Sequence, residues 1–584
     1  MYIYDHKLSA SQPRSYVWEN EGLGELSAGN KWLKLFPDAK RSKADFIIDG
    51  EAYFESVIRA IETAKTQYDY IYITGWMLDM DFQLVKNDKS KTLFNLLKDR
   101  AERGVEIRVL IWDNLIPDYA RLHNSAIPRL NQLPNTKAFI DERTFYPQAS
   151  KQFIQQIAPY ISQAIKKYGR LLLNPAAKLE ENYNVPGSYI LYRLLMLINQ
   201  QTIGAHHEKL VIVKGDEGLI AFCGGIDFNK NRVLSTVDWP EAGLFKTKSV
   251  KKEFWFPYYH DNACKLRGPA AYDVLQKFKK RWNNHPVANK IRLLGSNEAR
   301  PKEAVAPYPY TKVVGTYNSP DGREKDRSLQ EAYLKIIENA ESYIYIEDQY
   351  LVNPDVASVL NKKIKEPKFQ KLTFAIQDSI ETADMLIPNR KRGEFLDAVL
   401  RDTNNAQKEK VLLAVIDRTN WDKEFYHPGM HAKTLIVDDE IAIIGSANLN
   451  RRSFTCDSET AVIVFDDAKK VDRNFARIFR ISTWKSFLRK PVDNIFYESW
   501  WNFPTTISGG DKAFSILVKY TKDEQPDLDV KIADFIKKMG VLAPIAAYQL
   551  TGKNLTAASA ALSPHTVRYI FDNLWEHFID PVCR

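Results

Sequence analysis

The feature that most constrains this chain is that it spells one pattern twice. "HHEKLVIVKG" (206–215) and "HAKTLIVDDE" (431–440) each set a histidine two residues before a lysine, at the head of an apolar, β-branched run. Each run leads to a glycine-containing turn, "GGIDFN" (224–229) and "GSANLN" (445–450). Upstream, Phe54, Val57, Ile58 and Ile61 keep the i, i+3, i+4, i+7 spacing of an amphipathic helix, and the β-rich run "YIYITGWML" (70–78) follows. Tyr333, Ile336, Ile337 and Ala340 repeat that spacing ahead of "YIYIEDQYL" (343–351). Helices alternating with β-rich runs predict two similar α/β-sandwich halves. Both halves in one chain predict an internal pseudo-dimer, the molecule being otherwise a monomer.

Two further apolar runs end in an acidic residue, "VEIRVLIWD" at Asp113 and "VLLAVID" at Asp417, and are read as counterparts. On that pairing 94 residues separate Asp113 from His207, against 14 between Asp417 and His431. The first half then carries a helical insertion over about 115–203, including apolar stretches at 152–170 and 187–199, either packing decoration or a cap over the substrate entrance. The predicted segments are 1–44 (N-terminal), 45–285 (first half), 286–312 (linker, with Pro301, Pro307 and Pro309), 313–505 (second half) and 506–584 (helical extension).

Strand parity bears on the one mismatch between the repeats, Lys214 where the other copy has Asp438. Alternate side chains of a strand point to opposite faces. His207 and Lys209 share a face, as do His431 and Lys433, whereas position 214 and position 438 fall on the other. Lys214 therefore replaces a support rather than a catalyst, and the first site is expected to be alive. Asp216, two residues on, is the candidate to take over that support.

Composition excludes rather than selects. A net charge of +9, from 82 Lys+Arg and 73 Asp+Glu, is a mild excess. It suits an anionic substrate or a membrane surface without calling for nucleic acid. Four cysteines (Cys223, Cys264, Cys456, Cys583) lie far apart without a CxxC spacing, so idle thiols are expected rather than a disulfide framework or zinc site. The N-terminus lacks the basic-then-apolar order of a signal peptide, and the apolar stretch from Met539 is broken by Gly540 and Pro544. The expectation is a protein made in the cytoplasm that leaves it, if at all, by a route without a conventional signal. The acidic residues have no metal-ligand spacing, and His260 beside Asp261 is read as structural rather than metal-binding.

Paired His-x-Lys motifs with trailing Gly-x-x-Asn turns resemble the phospholipase D superfamily. "IYITGWMLD" (71–79), "IYIEDQYL" (344–351), "HDNACKLRGPAAYDVLQKFKKRWN" (260–283) and "HAKTLIVDDEIAIIGSANLNRRS" (431–453) carry the likeness, which covers roughly 45–505. It implies that His207 attacks phosphorus, forming a phosphohistidine, while His431 protonates the leaving alcohol. Lys209 and Lys433 would hold the non-bridging oxygens, with Asn448 as a neutral donor and Gly225 and Ser446 touching substrate. Asp227 stands where the second copy has Asn448 and cannot donate when ionised. It is expected to accept from a lysine or orient His207. The family's carboxylates some 25–32 residues downstream of each histidine point to Glu459 for His431 and Asp238 for His207.

The resemblance further implies a phospholipase D acting on glycerophospholipids without metal or cofactor. The alternatives are a phosphatidyl transferase like cardiolipin synthase, a nuclease of the same superfamily, or a catalytically dead scaffold. "FWFPYYH" (254–260) and "YESWWNF" (497–503) suit a membrane interface as partner, although core packing explains each equally well. "HHEKLVIV" and "GGIDFNKNR" look most like bacterial enzymes that include type VI secretion effectors. That likeness implies delivery to a target cell's periplasm or membrane, with a secretion-apparatus or immunity partner.

Overall fold

The computed structural model describes residues 30–85, 88–112, 117–141, 204–229, 232, 259–305, 308–319, 322–376, 383–416, 429–466, 474–487, 514–516 and 580. Asp238, the stretches 152–170, 187–199 and 497–503, and most of 254–260 and of the C-terminal extension lie outside them.

Strands of the first half are β2 (Lys43–Ile48), β3 (Tyr70–Gly75), β4 (Glu106–Trp112), β5 (Thr136–Asp141), β6 (Lys209–Gly215), β7 (Gly218–Gly224), β8 (Tyr259–His260) and β9 (Asn262–Arg267), preceded by β1 (Lys40–Arg41). The second half contributes β10 (Tyr310–Asn318), β11 (Lys325–Asp326), β12 (Tyr343–Asp348), β13 (Lys371–Ile376), β14 (Val411–Ile416), β15 (Gly429–Met430), β16 (Thr434–Val437), β17 (Ile441–Gly445) and β18 (Glu459–Phe465), with β19 (Phe514–Ile516) beyond. The first sheet runs β2-β9-β7-β6-β3-β4-β5 and the second β1-β10-β18-β17-β16-β12-β13-β14-β19. Strip the outer β1 and β19, and the two orders correspond strand for strand. The duplication read from the sequence is a duplication of topology.

That correspondence corrects one pairing. "VEIRVLIWD" forms β4, whose counterpart is β13, while "VLLAVID" forms β14, whose counterpart is β5. The helix Pro117–Asn131 sits between β4 and β5 as Ala383–Val399 sits between β13 and β14. Residues 117–141 are thus repeated core rather than insertion. Measured from Asp141, the separation to His207 is 66 residues against 14 in the second half, so the excess is about 52 rather than about 80.

The apolar spacing explains how the layers assemble. Helix Gly50–Thr63 buries Phe54, Val57, Ile58 and Ile61 against the outer face of the first sheet, as helix Ser328–Glu338 buries Tyr333, Ile336 and Ile337 against the second. Between the sheets lies a third core that both halves share. It takes Tyr70, Tyr72 and Ile212 from one sheet and Tyr343, Tyr345 and Ile436 from the other, with helices Pro269–Asn284 and Phe475–Phe487 packed into it. Residues on both faces of the central strands are buried, which is why these strands read as continuous apolar runs.

The N-terminal segment crosses over. Helix Lys31–Leu35 packs Trp32 into the second half's core, and β1 pairs with β10 before β2 enters the first sheet. In the predicted helical extension, residues 514–516 are instead an edge strand on β14. Asp580 is buried with its carboxylate accepting from the backbone N–H of Arg452. Among the described residues no helix is long and apolar enough to cross a membrane. Cys223 and Cys264 are free and buried, but Cys456 is disulfide-bonded to a partner outside the described residues. The expectation of idle thiols fails there, because separation along the chain does not say which cysteines meet.

Candidate active site

The two His-x-Lys segments meet at the shared boundary of the sheets, and each is tied to the opposite half. The backbone N–H of His207 donates to the carbonyl of Ser458 (2.9 Å), and that of His431 donates to the carbonyl of His260 (2.8 Å). Ser458 precedes β18 and His260 ends β8, so the ties are related by the internal pseudo-two-fold.

The side chains follow the same rule. His207 Nδ1 lies 3.1 and 3.2 Å from the two carboxylate oxygens of Glu459, while His431 Nδ1 lies 2.6 Å from Asp261 Oδ2. An ionised carboxylate only accepts, so each Nδ1 donates and each Nε2 carries its lone pair outward. This reverses the sequence expectation. Glu459 serves His207 rather than His431, and the partner of His431 is Asp261. Asp238 lies outside the described residues.

Spacing hid Asp261. Glu459 follows His431 by 28 residues, but Asp261 follows His207 by 54, mainly because 37 residues stand between β7 and β9 against 13 between β17 and β18. The backbone still marks the equivalence: Gly225 N–H donates to the carbonyl of Asn262 as Ser446 N–H donates to that of Thr460. The turn residues explain their own identities. Ser446 Oγ donates to Glu459 Oε2, whereas a Cβ at Gly225 would fall 2.1 Å from Asp261 Oδ1. Gly225 makes room for one carboxylate and Ser446 braces the other.

A reciprocal exchange accounts for Asp227. Its Oδ1 accepts from the backbone N–H groups of Trp76 (3.0 Å) and Met77 (3.1 Å), and its Oδ2 lies 3.2 Å from Lys209 Nζ. In the second half Asp348, at the end of β12, accepts from the N–H groups of Tyr350 and Leu449, beside a turn whose matching residue is Asn448. The strand position matching Asp348 is Gly75, where a Cβ would stand 3.0 Å from Asp227 Oδ1. One half keeps its bracing carboxylate on the strand and the other on the turn. Asn448 is buried, and its side-chain oxygen has no hydrogen-bond partner among the described residues.

Both lysines bend back to their histidines: Lys209 Nζ donates to the carbonyl of His207 (2.6 Å), and Lys433 Nζ to that of His431. Burial shapes the charges. It pushes the pKa values of His207 and His431 well below the usual imidazole value, reinforced by Lys209 at His207 and Arg232 at His431. Burial also lowers Lys433 to about 8 and raises Asp261 to about 6 and Glu459 to about 7. The pocket disfavours every isolated charge and gathers cations around two neutral imidazoles, an arrangement that an anion would complete.

Three neighbours escaped sequence reasoning. Trp76 lies edge-on to His207, Tyr259 lies edge-on to His431, and Arg232 Nη2 is 3.2 Å from His431 Nε2. Nothing in their spacing marks them, because Trp76 and Arg232 lie outside the periodic elements and Tyr259 opens a strand of only two residues. His260 is structural, as expected: its Nδ1 contacts Asp49 at 2.7 Å, its Nε2 faces Glu347 at 3.5 Å, and its pKa rises to about 10. Among the described residues no group of three or more His, Cys, Asp or Glu is arranged to hold a metal.

Lys214 lies in the β6 ladder, opposite Tyr70, and its ammonium pairs with Glu298 (2.9 Å). Asp438 lies past the end of the shorter β16, at φ +54°, where its carboxylate accepts from the N–H groups of Glu341, Ser342 and Tyr343 at the entry to β12. At the entry to β3 that function belongs to Asp69, which accepts from Lys65 and Thr66 N–H. Asp216, the expected substitute, makes an exposed pair with Lys65 instead.

Residues 60–139 match the family model described as Phospholipase D, and residues 333–479 match the Cardiolipin synthase, PLD-like domain. Phospholipase D alpha 3 of Arabidopsis thaliana is 25% identical over 82% of this chain and 68% of its own length. Phospholipase D A of Dictyostelium discoideum is 24% identical over 78% of this chain and 36% of its own. This chain spans 61% of Arabidopsis phospholipase D gamma 2, so most of these relatives extend well beyond it. Among solved structures, phosphatidylserine synthase of Haemophilus influenzae aligns over 87% of this chain and all of its own, at 11% identity and a TM-score of 0.49. Nuc of Salmonella typhimurium aligns over 27% of this chain and 84% of its own, at 20% identity and a TM-score of 0.20. A twice-repeated fold, two His-x-Lys segments facing across it and family matches in each half point the same way: both halves of this chain resemble the phospholipase D superfamily.

Proposed function

We propose that the protein is a phospholipase D that hydrolyses the terminal phosphodiester of glycerophospholipids, releasing phosphatidic acid and a free headgroup. The observation that carries this reading is the crossed pair His207–Glu459 and His431–Asp261. In-line displacement at phosphorus needs a nucleophile on one side, a proton source on the other and cations on the non-bridging oxygens. His207 Nε2 forms the bond to phosphorus as the headgroup oxygen leaves. His431, protonated once the anionic substrate offsets the surrounding cations, gives its Nε2 proton to that oxygen. It then takes a proton from water, whose oxygen displaces His207 and yields phosphatidic acid. Lys209 and Lys433 supply the charge that holds the phosphoryl oxygens, which leaves no step that calls for a metal.

The test is incubation with defined phosphatidyl lipids and, separately, with single-stranded DNA, followed by product analysis. Phosphatidic acid plus free headgroup supports the reading, whereas nucleotide products alone overturn it. Transfer to an alcohol is the second reading, favoured by the match of residues 333–479 to the cardiolipin synthase model. Added glycerol would then give phosphatidylglycerol in preference to phosphatidic acid. A membrane surface as partner, and delivery by a bacterial secretion apparatus against which the producer holds an immunity protein, are proposed from the sequence resemblance. Toxicity confined to one compartment of an expressing cell would support delivery there.

A further inference from the structure

The segment that leads into Glu459 is also what aligns the backbone of His207. Arg452, in the short helix Arg451–Thr455, is buried, and its guanidinium grips the Asp457 carboxylate through Nε (2.8 Å) and Nη2 (2.9 Å). Asp457 Oδ1 accepts from the backbone N–H of Ala205 (2.7 Å), and Ser458 N–H donates to the carbonyl of Ala205 (2.8 Å). Ser458 Oγ lies 2.8 Å from His206 Nδ1, and its carbonyl accepts from His207 N–H. Residues 457–459 thus set both the main chain and the imidazole of His207.

The far end of the chain is fastened to that same segment. Asp580 is buried, and its Oδ1 accepts from Arg452 N–H (2.7 Å). Its Oδ2 has no hydrogen-bond partner among the described residues and lies 3.6 Å from Arg451 Nε. One backbone hydrogen bond and a long ion pair are a weak hold on a buried carboxylate. A second tie stands at the other end of the helix, where Cys456 is disulfide-bonded. Of the four cysteines Cys223 and Cys264 are free, which leaves Cys583. Reach agrees with that pairing. Cys583 follows Asp580 by three positions, a span of at most roughly 10 Å, while Arg452 and Cys456 stand only about 6 Å apart along a helical rise.

We propose that Cys456 pairs with Cys583 and that this bond is a redox switch on the nucleophile: closed, it locks residues 456–459 against His207, and open, it lets them slip. The bond forms when the two thiols give two electrons and two protons to a small-molecule disulfide. One cysteine attacks it to form a mixed disulfide, the other displaces the remaining half, and the oxidant leaves as two thiols. A dithiol reverses the exchange. The enzyme is therefore slow in a reducing compartment and fast in an oxidising one. The inference rests on the role given to His207 in the hydrolytic reading above. A link across 127 positions also stabilises a fold by constraining the unfolded chain, so the test must separate alignment from stability.

The experiment uses the full chain at a temperature where circular dichroism shows both redox forms folded. The substrates are dihexanoyl phosphatidylcholine below its micellar concentration and bis(p-nitrophenyl) phosphate. Peptide mapping without reductant should recover Cys456 and Cys583 as one linked pair. Dithiothreitol should lower kcat roughly 10–100-fold, the scale of a misplaced reacting group, with KM changed by less than about threefold. Oxidised glutathione, added after the dithiol is removed, should restore the rate. Cys583→Ser should stay at the reduced level and respond to neither reagent. A reduced enzyme whose kcat is within about twofold of the oxidised one overturns the inference. So does a Cys583→Ser variant as active as oxidised wild type, or a map that joins Cys456 to any other residue. If the diester is cleaved and the lipid is not, the lipid reading fails, and the switch is judged on the diester by the same outcomes. If both are cleaved without redox dependence, only this inference fails.

Discussion

Asp261 holds His431 from across the boundary between the halves, at 2.6 Å, and Glu459 holds His207 in the opposite direction. Neither half contains a complete site. The interface core is thus also a catalytic device, since any loosening of the sheets against each other would detach a histidine from its carboxylate.

Asp261→Asn is therefore expected to lower turnover roughly 10²-fold or more with the fold intact, because the amide can present its NH2 to Nδ1 and favour the wrong tautomer. Asp238→Asn, at the position that spacing alone favours, should stay within about threefold of wild type by the same assay. Steady-state kinetics with circular dichroism as the fold control would check both. Equal losses in the two variants would contradict the crossed assignment.

The repeat, the α/β class, the histidines and the lysines were legible in the sequence because each is a local pattern. Apolar spacing reports burial wherever a strand or helix faces a core, as Phe54 to Ile61 does. The crossed partners were not legible, since a carboxylate supplied by the opposite sheet follows no fixed spacing from its histidine. Asp261 was displaced further by the extra residues between β7 and β9. The pairing of Asp113 with Asp417 failed for a related reason. β4 and β14 are both apolar strands paired in parallel with a neighbour, and such strands resemble one another whatever their place in the sheet.

Lys214→Ala should retain most activity and shift stability by no more than about 1 kcal/mol, because its pair with Glu298 is partly exposed. Asp438→Ala removes the acceptor of three backbone N–H groups and should cost about 2–3 kcal/mol while sparing the chemistry. Thermal unfolding and specific activity measured on the same samples would separate the two effects. A Lys214→Ala protein as inactive as His207→Ala would place Lys214 in the site and refute the parity argument.

The pH dependence of kcat/KM, which reports the free enzyme, should be bell-shaped. Asp261 and Glu459, raised to about 6 and about 7, must ionise to accept from the histidines, so activity rises with pH through that range. Lys433, lowered to about 8, must stay charged, so activity falls above it. The His207–Glu459 pair titrates as a unit, and the acid limb belongs to the pair. A profile flat from pH 5 to 10 would contradict these assignments.

Stability should carry a separate signature from His260, whose folded pKa of about 10 exceeds the unfolded value of about 6.5. A raised pKa contributes stability that is full below the unfolded value and is lost as pH climbs through the folded one. The stability difference between wild type and His260→Gln should therefore be constant below about pH 6.5 and shrink between there and about pH 10. Denaturant titrations at fixed salt would read it, and a difference that grows with pH would show His260 to be neutral.

The central claim is that His207 is the nucleophile and His431 the acid. Acid-quenched turnover of a phosphatidyl lipid, followed by peptide mass spectrometry under conditions that preserve phosphoramidates, tests it most directly. The account predicts a phosphatidyl adduct on the peptide containing His207, present in wild type and absent from His207→Ala. An adduct on the peptide containing His431, or one that persists in His207→Ala, would contradict it.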